Sequence, residues 1–396
     1  MRVDAAIGCF AAVLSIFVTS VHYGGVNALG NGALSMVDSA SYDAVGTAIW
    51  EWEKPSRSSI GLRGYLYPAF GTALLGISPW LLTVVQAVAT GIGIAALVGT
   101  ERLLAGRVIV TPLALLSFSL ILAPGHLMSE AMAFCIGALA LRLFVGRVPV
   151  WGLFALVLAA LIKPAFWAAV PIAALLVVRI NRSSLFVLLF SFAALTPQLW
   201  LSGALDGQVA LTKSGSLNFE RRFFPAVYGF EEHDDFLREN DPRSEAARAL
   251  HPSTSEKIGY LIRHPDTAVG TWASILWEHH LLEPTGFSRR DNATALEEPR
   301  RWIEAQSIGL NLVFTLLLLP AALGAAMALV NGPNGRRAAV LLPGALIGTA
   351  PLVYFQGDRV VYIGLILALP FAGYALARLA ARIRSGRWVR SEPHQP

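Results

Sequence analysis

Residues 78–98 read SPWLLTVVQAVATGIGIAALV, and no charged side chain interrupts them. A helix needs about 20 consecutive apolar residues to cross the hydrocarbon core of a bilayer, so this stretch predicts a membrane-spanning helix. The composition extends the prediction to the whole chain, because 55% of its 396 residues are hydrophobic and only 14% are charged. Soluble domains carry about 25% charged residues. The sequence therefore predicts an integral membrane protein.

Further apolar runs predict about ten spans in total, so the fold class is an all-α polytopic membrane protein. Two neighbouring runs are separated only by Lys163-Pro164, and proline breaks a helix. Short helices that stop part-way fit a bundle that lines a cavity. We expect the first run to be a retained helix rather than a cleaved signal peptide, because the segment after it carries candidate functional residues. The predicted spans are 5–23, 78–98, 108–123, 131–146, 150–162, 165–179, 184–202, 306–330, 338–355 and 360–381.

The positions of the basic residues predict which connecting segments lie on the cytoplasmic side of the membrane and which lie on the outer side. Cytoplasmic loops carry an excess of Lys and Arg, and placing Arg2 in the cytoplasm puts nearly every short basic turn there. This predicts a multi-pass protein of the cytoplasmic membrane with both termini inside. The basic residues are scattered between apolar runs, so the net charge of +5 does not indicate a nucleic-acid partner. The predicted parts are an N-terminal membrane module (1–202) with a first outer loop (24–77), an extracytoplasmic loop (203–305) forming a small, mainly helical subdomain, and a C-terminal membrane module with a basic tail (306–396).

Asp38 begins a polar cluster soon after the first predicted span, in the stretch Asp38-Ser-Ala-Ser-Tyr-Asp43. The next residues predict an amphipathic helix along the membrane interface, where Trp50 and Trp52 suit the headgroup layer. An ionisable group near hydrocarbon is costly and by default marks a functional site, so Asp38 could act as general base toward an acceptor hydroxyl. The alternative is that Asp38 is the N-cap of the interfacial helix.

Glu130 opens a later predicted span, four residues after His126. On one helix face the two side chains could help to hold a divalent cation such as Mg²⁺ or Mn²⁺. The alternative is a helix-start glutamate favoured by the helix dipole, beside a solvated histidine. Adjacent histidines on a helix point in different directions, so Glu278-His279-His280 in the large loop would be a poor metal chelate, and we expect a solvated or partly packed surface there. Arg221-Arg222 is expected to be solvated.

Four basic residues on the predicted outer face are candidates for binding a phosphate. Arginine forks match phosphate oxygens, and lysine supplies a point charge. The alternative is that these side chains extend to the lipid headgroups while their stems stay in the apolar layer. Lys163 fits that alternative least, because it lies between two short apolar runs. The four candidates are Arg57, Arg63, Lys163 and Arg359.

Together these residues resemble the GT-C superfamily of membrane glycosyltransferases, such as the protein O-mannosyltransferases and the aminoarabinose transferase of lipid A. The resemblance depends on the order of these motifs and on their predicted location on the same, outer side of the membrane. The motifs are distributed over most of the chain. It rests on Asp38 with Tyr42 and Asp43, on Arg63-Gly-Tyr65-Leu-Tyr67-Pro68 before the second span, on Ser129-Glu130 at the start of the fourth, and on the pairs Lys163-Pro164 and Asp358-Arg359.

The resemblance implies a GT-C-like helical bundle in which Asp38 is the catalytic base and Arg63 contacts a lipid phosphate. Glu130 is then a second acid near the donor or a divalent cation. The implied reaction moves a sugar from a polyprenyl-phosphate donor to a hydroxyl of a glycan, lipid or protein at the outer face of the cytoplasmic membrane. The expected partners are therefore this donor, its acceptor and the membrane lipids.

Three other functions remain open from the sequence. An O-antigen-ligase-like or polymerase-like enzyme would use a polyprenyl-diphosphate-linked glycan and could engage basic residues and histidines of the large loop, such as Arg222 and His280. A lipid or sugar transporter would need charges deep within its spans, and the predicted spans are nearly free of acids. A non-catalytic subunit would use the loop 203–305 to bind a partner protein.

Overall fold

The computed structural model describes residues 3–56, 58–146, 148–178, 184–282, 296–352 and 361–384. These residues form α-helices joined by short 3₁₀ and π segments, and no strand occurs among them. The predicted all-α class is therefore confirmed. The α-helices are α1 (Val3–Tyr23), α2 (Val37–Glu51), α3 (Ile60–Arg63), α4 (Leu66–Ile77), α5 (Pro79–Ala105), α6 (Phe118–Leu122), α7 (Glu130–Val145), α8 (Pro149–Ile162), α9 (Val170–Val178), α10 (Ser184–Asp206), α11 (Ser214–Asn218), α12 (Phe224–His233), α13 (Pro242–Leu250), α14 (Thr254–Arg263), α15 (Pro265–Leu276), α16 (Glu297–Asn331), α17 (Asn334–Thr349) and α18 (Tyr362–Arg384).

Within the described ranges, four helices are long and apolar enough to cross a membrane, namely α1, α5, α16 and α18, while α4 and α8 are apolar but shorter. The chain is therefore a multi-pass membrane protein, as predicted.

α5 packs against α1, α7 and α18. The backbones of α1 and α5 meet at two glycines. A Cβ on Gly8 would lie 2.6 Å from the Gly91 carbonyl oxygen, and one on Gly91 would lie 2.5 Å from that of Gly8. Small residues allow helices in a membrane to approach this closely.

The predicted span 108–123 is wrong as a continuous helix. The chain there forms a 3₁₀ helix (Thr111–Leu116), the short helix α6 and a 3₁₀ turn (Ala123–Gly125). Pro112 and Pro124 lack the N–H that an α-helix needs in its interior, and the Ser117 side chain caps α6 by accepting from the Leu120 N–H. The predicted span 165–179 is likewise a 3₁₀ helix (Pro164–Ala168) followed by α9.

The buried carboxylate of Glu101 binds the backbone at the start of the segment 108–123. Glu101 in α5 accepts hydrogen bonds from the backbone N–H groups of Ile109 and Val110, both at 2.9 Å, and of Thr111 at 3.0 Å. Backbone N–H groups buried without a partner are costly. Glu101 therefore replaces the helical hydrogen bonds that this segment lacks.

Residues 24–77, the predicted first outer loop, contain the helix predicted to be interfacial, α2, together with α3 and α4. Trp50 and Trp52 at its end are exposed, as expected for a headgroup layer. α2 lies close against α4, because a Cβ on Gly46 would lie 2.5 Å from the Pro68 carbonyl oxygen. α2 and α4 therefore pack directly against each other.

The described part of the large loop is helical, as predicted, and comprises α11 to α15 with π segments at Phe219–Phe223 and Trp277–Leu281. It contacts the end of α17, where the Trp272 indole donates to the Gly348 carbonyl at 3.0 Å and His280 Nε2 lies 3.0 Å from the Ala350 carbonyl. The expectation that His280 belongs to a solvated or partly packed surface is therefore wrong, because this ring is fully buried. The division at residues 202 and 306 stays a prediction.

We expect Gly64→Ala to destabilise the protein more than Gly106→Ala. Both glycines have a φ of +75°, which favours glycine. Gly106, with a ψ of −8°, lies in the left-handed region, where alanine costs about 1–2 kcal/mol. Gly64, with a ψ of 176°, lies in a region that is essentially restricted to glycine. At Gly64 the new Cβ would also lie 2.5 Å from the Leu161 carbonyl oxygen, whereas nothing lies within 4 Å at Gly106. Thermal unfolding of both variants in detergent measures the difference. Equal losses of Tm would mean that α3 is not held against α8.

Candidate active site

A cavity of about 360 Å³ lies where α2, α3, α7 and α8 meet the beginning of the large loop. Five of the residues predicted for the site line it. Two are acids, two are bases and one is a tyrosine, so the structure brings together charges that lie far apart in the sequence. They are Asp38, Tyr42, Arg63, Glu130 and Lys163.

Asp38 and Arg63 form an ion pair on the cavity wall, with Arg63 Nη2 donating to Asp38 Oδ1 at 2.7 Å. Asp38 lies in the first turn of α2, but the N-cap of this helix is Met36. The alternative in which Asp38 caps the helix is therefore wrong. The two side chains are 19% and 20% exposed, so a molecule in the cavity can reach them.

The surroundings of Arg63 keep its guanidinium charged. Burial by itself would lower the pKa of Arg63, but the adjacent Asp38 carboxylate outweighs it and the pKa is raised. The guanidinium carbon also lies 5.1 Å from the centre of the Tyr42 ring, which attracts a cation through its π face. Arg63 is thus held between a carboxylate and an aromatic face.

Glu130 and Lys163 form the second ion pair, with Lys163 Nζ 3.2 Å from Glu130 Oε1. Glu130 is the first residue of α7, where the helix dipole favours a negative charge. Lys163 ends α8 in an extended conformation, which its position before Pro164 requires. The side chains are only 4% and 12% exposed, so this pair is more deeply buried than the first.

Tyr42 links the two pairs through Ser129, the residue before Glu130. The Tyr42 hydroxyl lies 2.8 Å from the Ser129 hydroxyl oxygen. Burial and the nearby Glu130 carboxylate raise the pKa of Tyr42 to about 12, against the opposing effect of Arg63. Tyr42 is therefore a neutral phenol near pH 7 and can donate a hydrogen bond within the cavity wall.

Gln86 supports the cavity wall from within α5. It accepts from the Tyr67 hydroxyl at 3.0 Å, and its amide donates to the carbonyls of Pro124 at 3.1 Å and His126 at 2.8 Å. Tyr67 in turn lies edge-on to Tyr42, with ring centres 5.5 Å apart. Gln86 thus fixes the turn that leads to Glu130. The sequence signal for this role was a lone amide in the middle of an apolar span.

His126 does not share a helix face with Glu130. It lies before α7 in an extended conformation, because α7 begins only at Glu130. Its Nε2 lies 3.1 Å from the Tyr23 hydroxyl, and its Nδ1 lies 3.1 Å from the Gly32 carbonyl oxygen. The residues lining the cavity do not include His126.

The donor set fits a divalent cation poorly. Among the described residues, no three His, Cys, Asp or Glu side chains come close enough together to hold a metal ion. Each of the two cavity carboxylates faces a basic side chain. The expected cation stays a prediction, and we assign no chemical step to it.

The other predicted residues lie away from this cavity or outside the described ranges. Asp43 accepts from the Thr72 hydroxyl at 3.3 Å and lines a separate, open groove on the other side of α2. The Tyr65 hydroxyl donates to the Ala194 carbonyl at 3.4 Å. Arg57, Asp358 and Arg359 lie outside the residues that the structure describes.

The beginning of the large loop forms a wall of the cavity that the sequence did not predict. Thr212, Ser214 and Asn218 contribute uncharged polar groups. Arg222 also lines the cavity, with its Nε 3.0 Å from Glu239 Oε2. The expectation that Arg222 is simply solvated is therefore wrong. Hydropathy shows that this segment leaves the membrane, but it carries no signal that the segment folds back over the site.

Comparison with known proteins finds similarity at the level of structure. No protein-family profile and no curated protein matches the chain. The chain is similar to the crystal structure of ArnT from Cupriavidus metallidurans bound to undecaprenyl phosphate, with 14% identity and a TM-score of 0.40 over 99% of this chain and 81% of that one. For ArnT in the apo state the identity and coverage are the same and the TM-score is 0.33.

TM-scores below 0.5 do not establish a shared fold, so the function proposed for this protein rests on its own cavity.

We expect Lys163 and Glu130 to be energetically coupled. Lys163→Met removes the ammonium beside a buried carboxylate and should cost about 3–5 kcal/mol. Glu130→Gln in the same chain should recover part of that loss, because a neutral amide tolerates burial without a cation. Unfolding of the two single variants and the double variant gives the coupling energy, which we expect to be about 0.5–3 kcal/mol. Strictly additive losses would contradict the pairing.

Proposed function

We propose that this protein is a membrane glycosyltransferase that moves a sugar from a polyprenyl-phosphate donor to an acceptor hydroxyl. The observation that carries the proposal is the joint presence of Asp38, Arg63 and Lys163 on the wall of one cavity. A carboxylate can take the proton of an acceptor hydroxyl, while an arginine and a lysine can bind a phosphate. The cavity thus contains both kinds of group that the reaction needs.

In the proposed reaction, Asp38 accepts the proton of the acceptor hydroxyl as its oxygen attacks the anomeric carbon of the donor sugar. The bond between this carbon and the phosphate oxygen breaks, and the polyprenyl phosphate leaves with the bonding electrons. Arg63 and Lys163 stabilise the charge that develops on the leaving phosphate. Donors held ready for developing charge are usually the largest source of catalysis.

Arg63 has donor capacity beyond its ion pair. A guanidinium carries five N–H groups, and Nη2 donates to Asp38. That bond uses one of the five, so further N–H groups of the guanidinium are left over for a ligand. The ammonium of Lys163 carries three N–H groups, and Glu130 accepts from it. Both cations can therefore contact a phosphate without leaving their carboxylates.

The proposed setting is the outer face of the cytoplasmic membrane, with both termini in the cytoplasm. Its support is the distribution of arginines, which the positive-inside rule assigns to one side, together with the apolar helices α1, α5, α16 and α18. The uncharged side chains of Thr212, Ser214 and Asn218 on the cavity wall suit contacts to sugar hydroxyls. The acceptor is a hydroxyl of a glycan, a lipid or a protein.

We expect Asp38→Asn to lower transfer by about 10²–10⁴-fold, as loss of a general base does. Glu51→Gln is the matched control, because Glu51 is an exposed carboxylate at the other end of the same helix. Radiolabelled sugar transfer from a polyprenyl-phosphate donor, measured on both purified variants, makes the comparison. Transfer at the parent rate by a folded Asp38→Asn protein would overturn the assignment of the base.

Arg222 favours a second candidate, an O-antigen-ligase-like enzyme with a polyprenyl-diphosphate-linked donor. Its guanidinium is a third cation on the cavity wall beside Arg63 and Lys163, and a diphosphate carries more negative charge than a monophosphate. The two candidates use the same cavity and differ in the donor.

We expect Arg222→Ala to discriminate between the two donors. If the donor is a diphosphate, losing a charged hydrogen bond should lower transfer about 10–100-fold, whereas a monophosphate donor should be nearly unaffected. Arg221→Ala is the control, because Arg221 is exposed and does not line the cavity. Transfer from matched monophosphate and diphosphate donors gives the answer. Activity with the monophosphate alone, unchanged in both variants, would remove the second candidate.

A further inference from the structure

Helix α3 carries Arg63 but cannot hold itself in place. It has four residues, Ile60 to Arg63, and an isolated helix shorter than about 12 residues is marginal in water. The position of the Arg63 guanidinium must therefore be set by contacts that α3 makes with the rest of the protein.

The first turn of α3 is bound by Asp206, the last residue of α10. Asp206 Oδ1 accepts from the Ile60 N–H at 3.1 Å, and Oδ2 accepts from the Gly61 N–H at 3.0 Å. Hydrogen bonds to a charged acceptor are about twice as strong as neutral ones. One carboxylate thus binds both of the first two N–H groups of α3 across more than a hundred residues of sequence.

The carbonyls of the same two residues are bound by neighbours of Asp206. Gln198 Nε2 in α10 donates to the Ile60 carbonyl at 3.1 Å, and the backbone N–H of Lys213 donates to the Gly61 carbonyl at 2.7 Å. The Ile60 side chain is fully buried in a small apolar cluster with Leu201 and Leu205 of α10. The end of α10 therefore defines where α3 begins.

We infer that Asp206 is a positioning residue for phosphate binding by Arg63. The inference rests on the proposed function, since it concerns the phosphate-binding group of that site. Arg63 lies one helical turn after Ile60, so a shift of the first turn of α3 displaces the guanidinium from the phosphate. Asp206 itself does not line the cavity and acts only through α3.

The experiment compares Asp206→Ala and Asp206→Glu with the parent, using undecaprenyl phosphate as the binding probe and sugar transfer as the activity. We expect Asp206→Ala to raise the Kd for undecaprenyl phosphate and the KM for the donor about 10–100-fold, since a displacement of about 1 Å can cost that much. We expect kcat to fall less than KM rises. Asp206→Glu keeps the carboxylate and should restore most of the binding.

Asp241→Ala is the matched control. Asp241 is the N-cap of α13 and accepts from the Arg243 N–H at 2.8 Å, but neither it nor any residue of α13 lines the cavity. Its loss should lower Tm and leave Kd and KM at the parent values. A readout independent of activity is hydrogen–deuterium exchange of the peptide that contains Ile60 and Gly61, which should speed up in Asp206→Ala alone.

The outcomes separate the two claims. If the parent protein binds undecaprenyl phosphate and Asp206→Ala raises Kd no more than Asp241→Ala, the inference is wrong and the proposed function stands. An unchanged exchange rate at Ile60 and Gly61 in Asp206→Ala also overturns the inference. If the parent binds no undecaprenyl phosphate and transfers no sugar, the proposed function fails and the inference fails with it.

Discussion

Charges placed among apolar helices must be paired, and the candidate site depends on this constraint. Moving an isolated charge out of water costs several kcal/mol even after the protein relaxes. Arg63 with Asp38 and Lys163 with Glu130 meet that requirement at 2.7 and 3.2 Å. The same pairing prepares the cavity to bind a phosphate. Each carboxylate holds its cation in place but accepts only some of the N–H groups of that cation, and the others can donate to a ligand. Neutralisation and reactivity therefore come from the same four side chains.

Interrupted helices make the pairing possible. Glu130 is the first residue of α7 and Lys163 directly follows the last residue of α8, so neither side chain extends from the middle of a continuous helix. Irregular backbone within a membrane is tolerated where protein or a cavity surrounds it. Pro164 and Gly64 produce two of these interruptions, one by preventing helix and the other by adopting a φ of +75°. The charged side chains of the site therefore lie at the points where the helices are interrupted.

The charged residues of the cavity could be predicted from the sequence, whereas their pairing and the parts that position them could not. Glu130 and Lys163 stand out because each borders an apolar run, and Asp38 and Arg63 stand out because the resemblance assigns them roles. Thr212, Asn218, Arg222 and Asp206 lie in or beside a polar segment, where one more polar residue carries no signal. The proposed pairing of His126 with Glu130 failed for a local reason. Pro124 and Gly125 form a 3₁₀ turn that delays α7 until Glu130, so spacing measured on a helix did not apply.

The contact between Gly8 and Gly91 has a mechanical consequence for the whole bundle. Each carbonyl oxygen occupies the place where the other residue would carry a Cβ. Sliding α1 along α5 by one turn would put Ala12, which lies on the same face of α1, in the place of Gly8, and its Cβ has no room against the backbone of α5. The contact therefore sets both the distance and the register of the two helices. A bilayer of different thickness can change the tilt of this pair, but it cannot move one helix lengthwise past the other.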